Sequence, residues 1–265
     1  MQKVVSRDGT VIAFDRIGAG PVLVLVGGAF QVRDDAKWVE LARLLADRFT
    51  VVTYDRRGRG DSGDTAPYEV AREFEDLAAV IDAVGATAGV MGMSSGAVLA
   101  LEAAAHGVPI TALALYEPPF VLDDARPPLP ADYLDRLHGA LARGDRGGAV
   151  EVFMTAAVGI PAEYLAPMRA DAATWDRLCS VAHTLPYDGA VMGDTMSGRP
   201  LSASRWASVR IPVLAVGGGA SDPSLQAGAR ALAELLPTAG HATLEGQTHD
   251  VDPAALAPLL TTFFA

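Results

Sequence analysis

Apolar residues over the first 120 positions fall into two alternating patterns. The first is a short, nearly continuous run rich in β-branched residues, the kind that makes a strand buried on both faces. "TVIAFDRIG" (10–18), "PVLVLVGG" (21–28), "FTVVTYD" (49–55), "TAGVMGM" (87–93) and "ITALALYEP" (110–118) are such runs. The second is helical spacing. "KWVELARLLADR" brings Trp38, Leu41, Leu44 and Leu45 to one side, and "EVAREFEDLAAVIDAVG" does so with Phe74, Leu77, Ala78, Ile81 and Val84 before stopping at Gly85. "SSGAVLALEAAAHG" continues as a further helix. Strand and helix in alternation predict a parallel sheet with helices on both faces.

The rhythm changes after Pro119. From Phe120 to Arg205 helical segments such as "ADYLDRLHGALARG" and "AATWDRLCSVAHTL" follow one another without a convincing strand. The strand "IPVLAVGGG", the helix "PSLQAGARALAELLP", the strand "ATLEG" and the helix "PAALAPLLTTFFA" then restore the alternation. The pattern predicts one α/β core domain from residues 1–119 and 206–265, carrying a helical cap or lid insertion over 120–205. No repeat at solenoid spacing is visible.

Composition narrows the functional classes. The chain has 265 residues, half of them hydrophobic, with 21 Lys and Arg against 32 Asp and Glu, a net charge of −11. A nucleic-acid partner calls for a basic footprint, and the sequence has none. No apolar stretch approaches the roughly 20 residues of a membrane helix. The N-terminus "MQKVVSRDGT" lacks an apolar signal core, so a soluble cytoplasmic protein with no membrane partner is expected. The single cysteine, Cys179, excludes an internal disulfide and is read as a buried structural thiol. No metal-ligand cluster, P-loop or dinucleotide fingerprint is present, so neither a metal nor a cofactor is expected. The oligomeric state is left open.

The chemistry concentrates where a strand meets a helix. Gly92-Met93-Ser94-Ser95-Gly96 fits G-x-S-x-G, placed after a predicted strand and before a predicted helix. That setting puts the serine on a sharp turn with Oγ exposed above the sheet edge, and at a helix N-terminus whose free N–H groups favour developing negative charge. From "DGTVIAFDRIGAGPVLVLVGG" to "EGQTHDVDPAALAPLLTTFF" the sequence resembles the α/β-hydrolase family, least so in the insertion. "YDRRGRGDS" (54–62) looks like that family's D-x-R-G-x-G-x-S turn, with Arg56, Arg57, Arg59, Asp61 and Ser62 bracing loops.

The resemblance implies a mostly parallel α/β-hydrolase sheet, Ser94 as nucleophile and His249, after the last strand, as its base. Ser95 is the rival serine, its side chain placed to point into the helix. The backbone N–H of Ser95 is one expected half of the oxyanion hole, and that of Ala29 the other, with Phe30 next in line. Gly27 stands where family members often have histidine. For the acid the usual position is Asp222 in "GGGASDPS". Its competing role is to cap the helix that begins at Pro223. Glu117 in "LYEPP" is the other candidate acid. His183 could reach the site from the insertion. Apolar residues there, including Phe120, Phe153, Met154, Tyr164, Met192 and Met196, suggest a pocket roof, so a small neutral or hydrophobic substrate is expected over a phosphorylated one.

These residues predict a serine esterase-like enzyme acting on an ester, lactone or related acyl bond through an acyl-enzyme. The alternatives are the same triad in a perhydrolase, acyltransferase or cyclase, or a binding protein on this fold.

Overall fold

The computed structural model describes residues 1–265. Its strands are β1 (Gln2–Val5), β2 (Val11–Ile17), β3 (Val22–Val26), β4 (Thr50–Tyr54), β5 (Ala88–Met93), β6 (Ile110–Tyr116), β7 (Val213–Gly218) and β8 (Ala239–Leu244). The helices are α1 (Ala36–Leu45), α2 (Val70–Val84), α3 (Ser95–Ala105), α4 (Tyr133–Ala142), α5 (Arg146–Val152), α6 (Leu165–Ala170), α7 (Ala172–Val181), α8 (Leu185–Met192), α9 (Pro223–Leu235) and α10 (Pro253–Phe264). One sheet contains all eight strands in the order β1-β2-β4-β3-β5-β6-β7-β8. The β1–β2 and β2–β4 pairs are antiparallel, and the remaining pairs are parallel. This is the mostly parallel sheet that the strand–helix alternation predicts, and its architecture is the one implied by the resemblance to the α/β-hydrolase family.

The apolar runs are strands because each feeds two cores. Val24 and Val26 of β3 and Val90 of β5 join the larger apolar cluster, which extends into the helices between β6 and β7. Their neighbours Leu23, Leu25 and Met91 face the opposite way, into a smaller cluster roofed by α1 and α10. A period of two with both faces buried leaves no polar position in the strand. Leu44, expected on the buried side of α1, is instead exposed. β1 lies in the stretch read as a polar terminus. It pairs only with β2, at the sheet's edge, so its sequence carries no apolar run.

Between β6 and β7 lie helices and no strand, as the loss of alternation predicts. α5 runs directly into a single π-helical stretch, Phe153–Val158. No helix is long and apolar enough to cross a membrane. Cys179 on α7 is only partly buried, which corrects the expectation of a buried thiol.

Candidate active site

The C-terminal ends of β3, β5, β6 and β7 converge on a cavity of about 930 Å³, with a wall from the helical insertion. The floor holds Gly28, Ala29, Phe30, Gln31, Ser94, Ser95, Thr248 and His249, and the roof includes Phe153, Met154, Met192 and Met196. Of the other aromatic and methionine positions expected overhead, Phe120 packs on Trp206 and Tyr164 is exposed.

Ser94 sits between β5 and α3 with φ 55° and ψ −125°. The conformation is possible because the turn is glycine-bounded: a Cβ at Gly96 would collide with the carbonyl oxygens of Val26 and Gly27. The Ser94 amide donates to Tyr116 O at 2.9 Å, pinning the turn to the next strand. The loop after β3 approaches so closely that a Cβ at Gly28 would lie 2.9 Å from Ser94 Cβ. Neither Ala29 nor Phe30 donates its N–H to any protein group, and both residues line the cavity. Ser95 opens α3, where the first N–H groups have no intrahelical acceptor.

His249 Nδ1 lies 2.7 Å from Glu117 Oε2. With the carboxylate as acceptor, a neutral imidazole here carries its proton on Nδ1 and leaves the Nε2 lone pair free. Glu117 follows β6, is fully buried and has φ 46°. Its other oxygen, Oε1, accepts from Gly218 N at 2.7 Å. Tyr116 Oη donates to Thr248 O at 2.6 Å and holds the histidine loop beside that carboxylate. No hydrogen bond joins Ser94 Oγ to the imidazole, and both residues line the cavity.

Asp222 is not the partner of His249, and the expectation that placed it there is corrected. Its Oδ1 accepts from Ser224 N at 2.8 Å and from Ser224 Oγ at 2.6 Å, which makes it the N-cap of α9. Those bonds hold its carboxyl below the ordinary range. Asp-Pro-Ser is a strong local helix start, and the cap wins over a contact across the loop. Asp252 likewise caps α10, and Asp250 pairs with Lys37. His183 lies outside the cavity lining, and burial holds its imidazole below the usual range.

A second cluster adjoins the floor and reaches the cavity lining through Asp188. Asp188, on α8 and 1 % exposed, accepts from Ser95 Oγ at 2.7 Å. The same carboxylate accepts from Arg56 Nη1 and Arg59 Nη2, each at 2.7 Å. Arg59 Nη1 also donates to Gly28 O at 2.5 Å, and Arg56 is paired with Glu73. Burial raises the Asp188 carboxyl, but the two guanidinium groups outweigh it and hold it below the ordinary range. The arginines therefore brace loops, as expected, while Ser95 bonds to the insertion and not within its own helix. Asp188 escaped sequence reading. Its partners Arg56 and Arg59 lie 132 and 129 residues away in the chain, so no local spacing pointed to it. No group of three or more His, Cys, Asp or Glu side chains is arranged to hold a metal ion.

A free hydroxyl on a strained strand-to-helix turn, two unpaired loop amides beside it and a carboxylate-oriented imidazole define a class of fold and site. Residues 22–259 match the alpha/beta hydrolase family, and the chain belongs to it. Over its full length it is 55 % identical to an alpha/beta hydrolase of known structure from Sphaerobacter thermophilus DSM 20745, with a TM-score of 0.92 and all of both chains covered. The fold is shared with the enol-lactonase of Burkholderia xenovorans LB400, at 21 % identity, TM-score 0.70 and 99 % of each chain. It is also shared with the esterase RhEst1 of Rhodococcus sp. ECU1013, at 22 % identity, TM-score 0.66, and 99 % and 97 % of the two chains. A Bacillus subtilis (strain 168) protein described as the uncharacterized hydrolase YraK is 36 % identical over 98 residues, a match spanning 36 % of this chain and 35 % of that relative.

Proposed function

We propose that this protein is a serine hydrolase that cleaves an ester, lactone or related acyl bond of a small, largely apolar molecule. The observation that carries this reading is the His249–Glu117 pair, 2.7 Å apart, with His249 on the lining of the cavity that also holds Ser94. Ser94 Oγ attacks the acyl carbon while His249 Nε2 takes the hydroxyl proton. Glu117 keeps the imidazole in the required tautomer and stabilises the imidazolium. The N–H groups of Ala29 and Ser95 receive the charge on the carbonyl oxygen. Collapse of the tetrahedral intermediate breaks the bond to the leaving group, which takes the proton from His249. Water then attacks the acyl-Ser94 by the same route and releases the acid. The insertion over 120–205 acts as a lid that shapes the substrate space. The fold neighbours named as an esterase and an enol-lactonase perform reactions of this type.

Labelling with a fluorophosphonate followed by peptide mapping tests the reading. The label is expected on Ser94 and absent from a Ser94→Ala variant, together with turnover of p-nitrophenyl esters by the wild type alone. Labelling on Ser95, or p-nitrophenol release unchanged in Ser94→Ala, overturns it.

A further inference from the structure

The cavity lining is apolar over most of its surface and contains one side chain with a permanent positive charge, Arg126. Arg126 lies in the segment between β6 and α4, directly beyond the strand that delivers Glu117. Its guanidinium donates to one protein acceptor, Ala157 O at 2.7 Å, at the end of the π-helical stretch. It takes part in no ion pair, unlike the buried Arg33, Arg56, Arg57 and Arg59, each of which has a carboxylate. Three carboxylates share the lining: Asp188 is held by Arg56 and Arg59, Asp250 pairs with Lys37, and Asp222, whose Oδ1 accepts from Ser224, acts on Arg126 without forming an ion pair.

A partly buried guanidinium loses hydration and needs acceptors in return. With five donors and one protein acceptor, the remaining N–H groups have only water or a ligand to bond. The planar fork suits a carboxylate, which can accept two parallel N–H bonds, better than a single neutral oxygen. We infer that Arg126 is a specificity-determining residue that binds a carboxylate which the substrate carries in addition to its scissile acyl bond. The substrate class is then a half-ester of a dicarboxylic acid, with an apolar chain between its two ends. The inference rests on the acyl-transfer reading above, and it makes the small, largely apolar substrate a monoanion where the sequence led to the expectation of a neutral molecule.

The test compares mono-p-nitrophenyl adipate with its methyl-capped, neutral isostere, following p-nitrophenol release. In the wild type kcat/KM is expected to favour the anion by at least about tenfold, the size of a charge-assisted bidentate contact. In Arg126→Met that ratio is expected to fall to about one or below, mainly through KM, and Arg126→Lys should retain part of it. The ratio is internal to each protein, so a partly unfolded preparation lowers both rates and leaves it in place. A wild type that favours the neutral ester, or a ratio unmoved by Arg126→Met, overturns the proposal. Calorimetry with adipate itself separates this from the hydrolase reading. If neither ester is turned over, the hydrolase reading falls, and adipate binding to the wild type that weakens in Arg126→Met still supports the subsite. Absence of adipate binding to the wild type, or equal binding to both proteins, overturns the subsite.

Discussion

Three non-glycine residues have positive φ: Phe30, Ser94 and Glu117. All three belong to the site. Each such conformation costs about 1–3 kcal/mol and persists only where the surroundings over-determine it. At Ser94 the strain lifts Oγ off the sheet, and at Glu117 it turns a carboxylate from the end of β6 toward the histidine loop. The assignment of the acid is a residue-scale question with a large signal. Glu117→Gln replaces an acceptor of the Nδ1–H with a group that can present a donor instead, and is expected to lower kcat by about 10⁴. Asp222→Asn is expected to cost less than about threefold in kcat on a neutral ester, because Asn caps a helix about as well as Asp. Steady-state kinetics on both variants decides between them, and the reverse ranking would return the role to Asp222. Ser94→Ala is expected to lose about 10⁶ in kcat, since triad members act as a unit. Ser95→Ala removes one donor from Asp188 but leaves the Ser95 N–H, so measurable turnover should survive.

At the scale of elements, α8 is joined to the floor of the cavity through one carboxylate. Asp188 bonds Ser95 at the start of α3 and, through Arg59, the carbonyl of Gly28 in the loop after β3. Both expected oxyanion donors therefore sit on segments held by the same group. Asp188→Asn keeps the shape and removes the charge. Its kcat is expected to fall about tenfold to a hundredfold with little change in KM, because donor alignment matters most when the oxyanion forms. Loss of a whole donor sets the upper limit, at about 10²–10³. Asp188→Ala leaves Arg56 and Arg59 short of a counter-charge in a buried place and is expected to destabilise the fold by about 3–5 kcal/mol. Paired kinetics and thermal melts separate the two effects. A purely structural role for Asp188 would lower the melting temperature of Asp188→Asn and leave its kcat intact.

For the molecule as a whole, charge sets the acid limit of stability. Burial raises the carboxyl of Asp8, in the turn after β1, but bonds from Arg57 and Thr10 outweigh it and bring it down to about 2. Asp188 is shifted in the same direction. An unfolded aspartate titrates at about 3.9. A carboxyl depressed on folding contributes stability that is fully present above that value and is lost as pH falls toward its folded one. The urea midpoint is therefore expected to decline between about pH 4 and pH 2. Asp8→Asn should flatten that decline and lower the midpoint at neutral pH. Equal slopes in wild type and variant would remove Asp8 from the account.

Local pattern was enough to place most of the core strands and helices, the loss of alternation between β6 and β7, and the turn that carries Ser94. Each depends on spacing over a few residues: a period of two with no polar break, a helical face, glycines where backbones meet. The edge strand β1 escaped because half-exposed pairing leaves no apolar run to read. Ser94 and His249 were legible as candidates, because motif and chain order pick them out without knowledge of side-chain direction. The partner of His249 was not. Asp222 and Glu117 both stand at strand ends, and what separates them is that Asp222 folds back on Ser224 while Glu117 is buried against β7 and the histidine loop. The same holds for Asp188, whose partners Arg56 and Arg59 stand far away in the chain. Which carboxylate meets which cation is decided by burial, because burial makes an unpaired charge costly, and burial exists only once the sheet and the insertion have closed on each other.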